Sequence, residues 1–374
     1  MEFKYSSVLV LPESETQGLH QGIPIRVHKN RELEDYGSIR AQEDWSKAVK
    51  PLGFYKGGLG PRMGFISAIV PECLPDRLEY VSYANEFEFI YDDMVDVWND
   101  AEIAAEGDGR LQVFKLWTAA ANSTSAGDAK LLISQNHSSP IMNLQANMIR
   151  HALEIDREAA LWTIKLWAGY VEQGAGRQNH ASFDTFEDYI EYRYHDIGTM
   201  LMTFEIGFGM GLVVPTSEHT TLLSLGRPAW IAVALTNDLF SWDKECRYAA
   251  AHKNISDFTT IFHCLPILMR QHDTNLEGAK ELLKEAIRAY VAEYIVTVEA
   301  NKDNMELSDG LRLYLEALMY AVSGNLAFHT DCPRYYVDRK HSERQLNWME
   351  NGTPAECPGG RGRQIVNGKG DASE

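Results

Sequence analysis

Positive charge is in short supply: 35 Lys and Arg stand against 53 Asp and Glu, a formal net charge of −18. That balance excludes a nucleic-acid partner, which wants a basic face, and a polybasic hold on membrane surfaces. Cysteine is scarce too. Cys73, Cys246, Cys264, Cys332 and Cys357 are scattered, without a CxxC pair or a disulfide-like spacing, which suits a reducing compartment. No uncharged run approaches the roughly 20 residues needed to span a bilayer. The opening MEFKYSSVLVLPESE has no basic n-region and so does not read as a signal peptide. Strand-like alternation is rare and short, and there is no internal repeat. These absences predict a soluble, cytoplasmic protein.

What is present is apolar bulk in helical register. Hydrophobic residues make up 45% of the 374, with 8 Trp, 17 Tyr and 14 Phe, enough for a sizeable core. From about Leu74 onward the apolar spacing is helical almost throughout. It predicts helices over Asp76–Trp98, Asp128–Leu153, Ile155–Glu172, Phe186–Leu212, Glu218–Ala249, Ile255–Gln271, Leu276–Ala300 and Asp309–Phe328. Several have plausible caps, among them Asp76 after Pro75, Ser217 after Pro215, and Ser308-Asp309. Glu102–Arg110 and Ala120–Ala129 interrupt the pattern as polar, Gly- and Ser-containing turns. The expected fold class is all-α, one many-helix bundle over residues 1–349. The Gly-rich stretch 350–374 reads as a disordered tail or linker.

One helix carries side chains that do not belong in a core. After Ala229-Trp230-Ile231-Ala232-Val233-Ala234-Leu235 comes TNDLFSWDKE, Thr236 to Glu245. Desolvating such polar groups costs on the order of several kcal/mol each unless they are paired or bound to metal. At about 100° per residue, Ser241 lies about 40° and Glu245 about 80° from Asn237, a single stripe. Trp230, Ala234 and Lys244 share that face. Asn, Ser and Glu form a hard-oxygen set suited to Mg²⁺, and an acidic protein handling an anionic substrate needs metal as intermediary. The alternative is a polar helix end facing solvent.

A second stripe occurs in FIYDDMVD. Asp92 and Asp96 share a face, with Phe89 one turn earlier on the same side, while Asp93 is rotated off it by about 100°. Like charges one turn apart repel, so divalent cations between them make sense of the pattern; an acidic helix terminus is the plainer account. Two oxygen-ligand stripes on two apolar helices weaken that account.

With DDxxD on one helix and NDxxSxxxE downstream, the sequence resembles the class I terpene synthases. GPRMGFISAIVPECLPDRLEYVSYANEFEFIYDD, YRYHDIG, AWIAVALTNDLFSW and SGNLAFHTDCPRYY are similar to the cyclase half of fungal chimeric di- and sesterterpene synthases. The likeness covers roughly Met1 to Met349. It implies the class I terpenoid synthase fold around a deep apolar cavity, and a prenyltransferase domain following on the same polypeptide. It leaves room for self-association into a homo-oligomer.

The resemblance further implies three Mg²⁺ ions that bind the diphosphate of a linear prenyl substrate and trigger its departure. Asp92 takes the metal-bridging role with Asp96 nearby, and Asn237, Ser241 and Glu245 hold another ion. Arg193 matches the family's diphosphate-sensing arginine and Asp196 its linker, although Ile197 intervenes here before Gly198. Arg334, Tyr335 and Lys244 match groups that close over the diphosphate. Phe65, Phe89, Trp230 and Phe328 are candidates for a cavity wall that excludes water and stabilises positive charge; Gly207–Gly211 either bends a helix beside the cavity or allows close packing. A chain-elongating prenyltransferase would carry two aspartate-rich motifs, and a proton-initiated cyclase would need a DxDD run; neither is found. A non-catalytic isoprenoid binder is the remaining rival.

Overall fold

The computed structural model describes residues 1–53, 57–95, 119, 139–172, 183–252 and 256–351. A short hairpin opens the chain, β1 (Ser6–Val8) antiparallel to β2 (Arg26–His28), with the single turn α1 (Glu13–Thr16) between them. The Glu72 carboxylate accepts from the backbone N–H of Lys4, Tyr5 and Ser6 at 2.7, 2.9 and 2.8 Å and so fastens this segment to the helices.

The helices follow as α2 (Arg31–Ala48), α3 (Phe65–Ile69), α4 (Pro75–Val95), α5 (Pro140–Ile155), α6 (Arg157–Glu172), α7 (Phe186–Asp196), α8 (Thr199–Met210), α9 (His219–His252), α10 (Cys264–Gln271), α11 (Leu276–Asn301), α12 (Asp309–Asp331) and α13 (Glu343–Asn351). Helix α4 buries Leu78, Tyr80, Val81, Ala84, Phe87, Ile90 and Tyr91, and with them the polar Arg77, Ser82, Asn85, Glu86 and Glu88, so the bundle encloses it on most sides. Helix α2 packs along it, and α9 lies against both α11 and α12. Helices α12 and α3 meet backbone to backbone, since a Cβ at Gly324 would collide with the Ala68 carbonyl. That contact brings Phe328 to Phe65. Among the described residues no helix is long and apolar enough to cross a membrane.

Several expected boundaries are corrected. The helix expected over Phe186–Leu212 is two, because Gly198 takes φ +87°, a left-handed conformation favourable only to glycine. Of the helix expected over Asp128–Leu153, residues 128–138 lie outside the described residues; Pro140 opens a helix where the Ser139 side chain accepts from Met142 N–H, a serine cap followed by proline at the first helical position. Helix α10 starts at Cys264 rather than Ile255, after a 3₁₀ turn at Phe258–Thr260. The expected cap at Ser217 falls inside another 3₁₀ turn, Thr216–Glu218, whereas Ser308 does cap α12 through Leu311 N–H. Helices α2, α3 and α13 lie outside the expected set. The turns expected at Glu102–Arg110 and Ala120–Ala129 and the tail beyond Asn351 lie outside the described residues.

Candidate active site

Helices α4 and α9 bring the two oxygen-bearing stripes together. Lys244, next to Glu245 on α9, reaches Asp93 Oδ1 on α4 at 3.2 Å. The segment after α12 closes the group: Arg334 grips Asp93 with both arms, Nη1 to Oδ2 at 2.6 Å and Nη2 to Oδ1 at 2.9 Å. The same guanidinium lies 3.8 Å from Asp92 and sits over the Phe89 ring, 4.8 Å from its centroid. A bidentate fork of this kind is the strong form of the Arg–carboxylate pair.

The two aspartates therefore differ. Burial opposes ionisation of Asp93, but Arg334 and then Lys244 outweigh it and hold its carboxyl below the usual range. Burial, followed by the charge on Asp93, pushes the Asp92 carboxyl upward. The Asp92 side chain is nonetheless 76% exposed.

Across from them, Arg193 on α7 organises the start of the α9 stripe. Its Nε donates to Asp238 Oδ1 at 2.9 Å and its Nη2 to Asn237 Oδ1 at 2.8 Å, while Nη1 is paired with Asp196. Asp238 is 1% exposed and also accepts from the Tyr189 hydroxyl at 2.7 Å. Burial works against its charge, but Arg193 and His263 prevail and keep its carboxyl low. Asn237 Nδ2 meets His329 Nε2 at 3.0 Å and the Tyr335 hydroxyl at 3.1 Å. One helical turn on, Ser241 Oγ donates to Glu245 Oε1 at 2.6 Å. Burial pushes the His329 imidazole down to about 4.

The donor chemistry fits a divalent cation. Asn237, Ser241 and Glu245 present oxygens on successive turns of α9, with no sulfur or imidazole among them, the preference of Mg²⁺. Among the described residues no three His, Cys, Asp or Glu side chains form a ready-made cage. The α9 set is instead mixed, and its Asn237 oxygen is held meanwhile by the Arg193 cation. Asp96, expected to add a carboxylate, lies outside the described residues.

Of the expected wall residues, Phe65, Phe89 and Phe328 form one cluster of tilted and edge-to-face rings. Ring centroids are 5.3 Å apart for Phe65–Phe89 and 5.0 Å for Phe65–Phe328. Phe328 continues to Tyr335 at 6.2 Å. Trp230 is not in this cluster. It is 1% exposed on α9, beside Gly226.

Three residues escape sequence reasoning. Asp93 and Asp238 each follow a motif residue and stand about 100° off its face; the C-terminal segment and α7 supply walls on those sides. The signal for them is the doubled acidic and Asn-Asp pairs themselves. His329 directly follows Phe328 in FHTDCPRY, with only that adjacency to mark it.

An all-α bundle whose two oxygen-bearing helices meet at a cluster of arginines and a lysine has the architecture of the class I terpenoid synthases. The chain belongs to the terpene synthase family: residues 83–293 match the family described as terpene synthase family 2, C-terminal metal binding, which carries divalent-metal use with it. Its relatives include fusicoccadiene synthase of Phomopsis amygdali, 40% identical over 96% of this chain and 49% of that one. The bifunctional type I diterpene synthase tndC of Aspergillus flavipes is 38% identical over 98% and 46%. A bifunctional sesterterpene synthase of Aspergillus aculeatus is 36% identical over 95% and 48%. The chain thus spans about half the length of the curated relatives it matches. Aristolochene synthase of Penicillium roqueforti superposes with a TM-score of 0.56 at 18% identity, over 71% of this chain and 82% of that one. A point variant of cucumene synthase gives 0.57 at 15% identity, over 84% and 98%. At these identities the likeness is one of fold.

Proposed function

We propose that this chain is a Mg²⁺-dependent class I terpene cyclase that ionises a linear prenyl diphosphate and cyclises the resulting allylic cation. The observation that carries the reading is the meeting of Asp93, Lys244 and Arg334, which joins the aspartate helix, the Asn/Ser/Glu helix and the C-terminal Arg-Tyr segment in one site. Three bound Mg²⁺ ions would supply Lewis acidity that neutralises the departing diphosphate. Asp92 would hold metal on one side, joined by Asp96, and Asn237, Ser241 and Glu245 on the other.

The chain's own cations complete the diphosphate site. Arg193, Lys244 and Arg334 are engaged with carboxylates or an amide oxygen, and each can exchange that partner for a phosphate oxygen of like charge and geometry. Tyr335 adds a hydroxyl beside them. Phe89, Phe65 and Phe328 continue inward from Arg334 as aromatic faces suited to a cation and as a barrier to water. Trp230 extends the apolar lining along α9.

Geranylgeranyl diphosphate is the substrate we favour, giving a polycyclic diterpene, since the relatives include a diterpene synthase at 38% identity. The 36% identity to a sesterterpene synthase supports geranylfarnesyl diphosphate as the second reading. Relatives called bifunctional, of which this chain spans about half, support a prenyltransferase domain as its partner on one polypeptide.

Incubation with Mg²⁺ and C15, C20 and C25 prenyl diphosphates, followed by mass spectrometry of the extract, tests the proposal. Cyclic hydrocarbon from the C20 substrate is expected. A lengthened diphosphate would make the protein an elongase, and unchanged substrate a binder. Asp92→Ala and Asn237→Ala should each abolish turnover while circular dichroism stays native; full hydrocarbon yield from either would remove its metal assignment.

A further inference from the structure

The hydrogen bonds around Asn237 permit one arrangement of protons. A guanidinium can only donate, so the end of the amide 2.8 Å from Arg193 Nη2 is the carbonyl oxygen Oδ1. The other end is then NH₂ and needs acceptors. It finds His329 Nε2 at 3.0 Å and the Tyr335 hydroxyl at 3.1 Å. An imidazole nitrogen accepts only when the hydrogen is on the other nitrogen. His329 Nδ1 lies 2.7 Å from the Asn325 carbonyl, which can only accept. Every step agrees: Nδ1–H donates to Asn325, Nε2 accepts from Asn237, and Oδ1 is left for a cation.

The ring is also held in place. His329 is buried, stacked on Tyr335 with centroids 4.5 Å apart, and flanked by Phe240 at 6.0 Å and Phe328 at 5.6 Å. Asn325, whose carbonyl sets the tautomer, donates from its side chain to the Val233 carbonyl at 3.3 Å, tying α12 to α9 one turn before Asn237.

We propose that His329 is a positioning residue that keeps Oδ1 of Asn237 on the side of the amide where a cation, now Arg193, can meet it. The proposal rests on the reading of Asn237 as a metal ligand. While Arg193 holds the oxygen, the orientation is determined from both ends. When Arg193 swings to a diphosphate, His329 is the group among the described residues that still distinguishes the two ends of the amide, because the Tyr335 hydroxyl can donate as well as accept. An amide rotated by 180° would offer its NH₂, which cannot ligate a metal. His329 lies outside residues 83–293, the part that matches the family.

Two measurements on the full chain test this. Nitrogen-15 NMR of histidine-labelled protein reads the tautomer directly, the His329 signals being assigned by their loss in His329→Phe or His329→Gln. A neutral ring protonated on Nδ1 is expected; protonation on Nε2, or on both nitrogens, overturns the proposal. Titration calorimetry with Mg²⁺ and inorganic pyrophosphate reads the consequence. His329→Phe keeps the aromatic stack but loses the acceptor, and should weaken Mg²⁺ binding about 10–100-fold. His329→Gln, whose amide oxygen reaches the place of Nε2, should recover most of it. Both variants binding like the parent protein would overturn the positioning role while leaving Asn237 as ligand. Failure of the parent protein to bind Mg²⁺ with pyrophosphate would instead remove the metal reading of Asn237, and the proposed role with it.

Discussion

Glu86 and Asp93 stand about two turns apart on α4 and are held by opposite means. Asp93 is gripped by two cations, Arg334 and Lys244, and stays ionised. Glu86 has neutral donors: Gln42 Nε2 at 2.6 Å and Gly58 N–H at 2.8 Å. Burial drives its carboxyl up to about 7. Glu34 on α2 follows Glu86, accepting from Ser67 N–H at 3.0 Å and pushed by burial to about 7. Ion-paired acids keep a charge that an incoming metal or phosphate can take over. Acids among neutral donors serve as struts, and burial drives them toward the protonated form although their donors favour the ionised one. The same helix thus separates a chemical end from a structural one by the partners it gives its carboxyls.

The sharpest test compares the two arginines of the ionised group. Arg193 faces Asp238, which is 1% exposed. Removing one partner of a buried pair leaves an uncompensated charge, at about 3–5 kcal/mol. Arg334, its side chain 6% exposed, faces Asp93, which is 28% exposed and keeps Lys244; with that second cation left in place the loss should cost about 1.5–3 kcal/mol, the range for hydrogen bonds to a charged group. Urea unfolding of Arg193→Met and Arg334→Met should therefore separate by about 1–2 kcal/mol, with Arg193→Met the costlier. Equal costs would mean that Arg193 is no more structural than Arg334.

Titration sharpens the contrast next. For Glu34 and Glu86 the folded carboxyl, at about 7, lies above its ordinary 4.5. The folded state binds the extra proton, so stability is fully present below about 4.5 and is lost as pH rises through about 7, by roughly 3 kcal/mol per group. For Asp238, held below its ordinary 3.8, the sign reverses: stability is present above about 3.8 and lost as pH falls through the lower folded value. Melting temperatures should thus decline from pH 5 to pH 8, and Glu86→Gln should flatten part of that decline. An unchanged slope in Glu86→Gln would show that Glu86 is ionised like Asp93.

This contrast also explains how far the sequence can be read. The Asn237–Ser241–Glu245 stripe is legible because polar residues stand out on an otherwise apolar helix. Asp92 is legible because a second motif lies downstream. Helix α2 is not, because the face it buries carries Glu34, Ser38 and Gln42, and polar residues facing a core erase the helical pattern of hydrophobicity. Their partners Ser67, Glu86 and Gln345 come from elsewhere in the chain, so no local window contains the reason for them. Asp93 and Asp238 are missed for a related cause. A wheel drawn on one helix assigns a single functional face, whereas this site has walls on several sides. His329 gives almost no local signal, because its role depends on one amide of α9 and a carbonyl of its own helix.

The smallest effect separates burial from pairing itself. Arg227 and Glu191 form a close ion pair on the surface, their side chains 33% and 67% exposed. Short contact alone would rank this pair with Arg193–Asp238. Solvent screening and the entropy of two long side chains should instead reduce it to under about 0.5 kcal/mol. A double-mutant cycle with Arg227→Ala and Glu191→Ala isolates the coupling from the contact Arg227 makes over the Tyr194 ring, 5.0 Å from its centroid. That coupling should vanish in high salt, whereas the cost of Arg193→Met should persist, because ions cannot screen a charge they cannot approach. A coupling above about 2 kcal/mol would show that pairing, and not burial, sets the cost of losing an arginine in this protein.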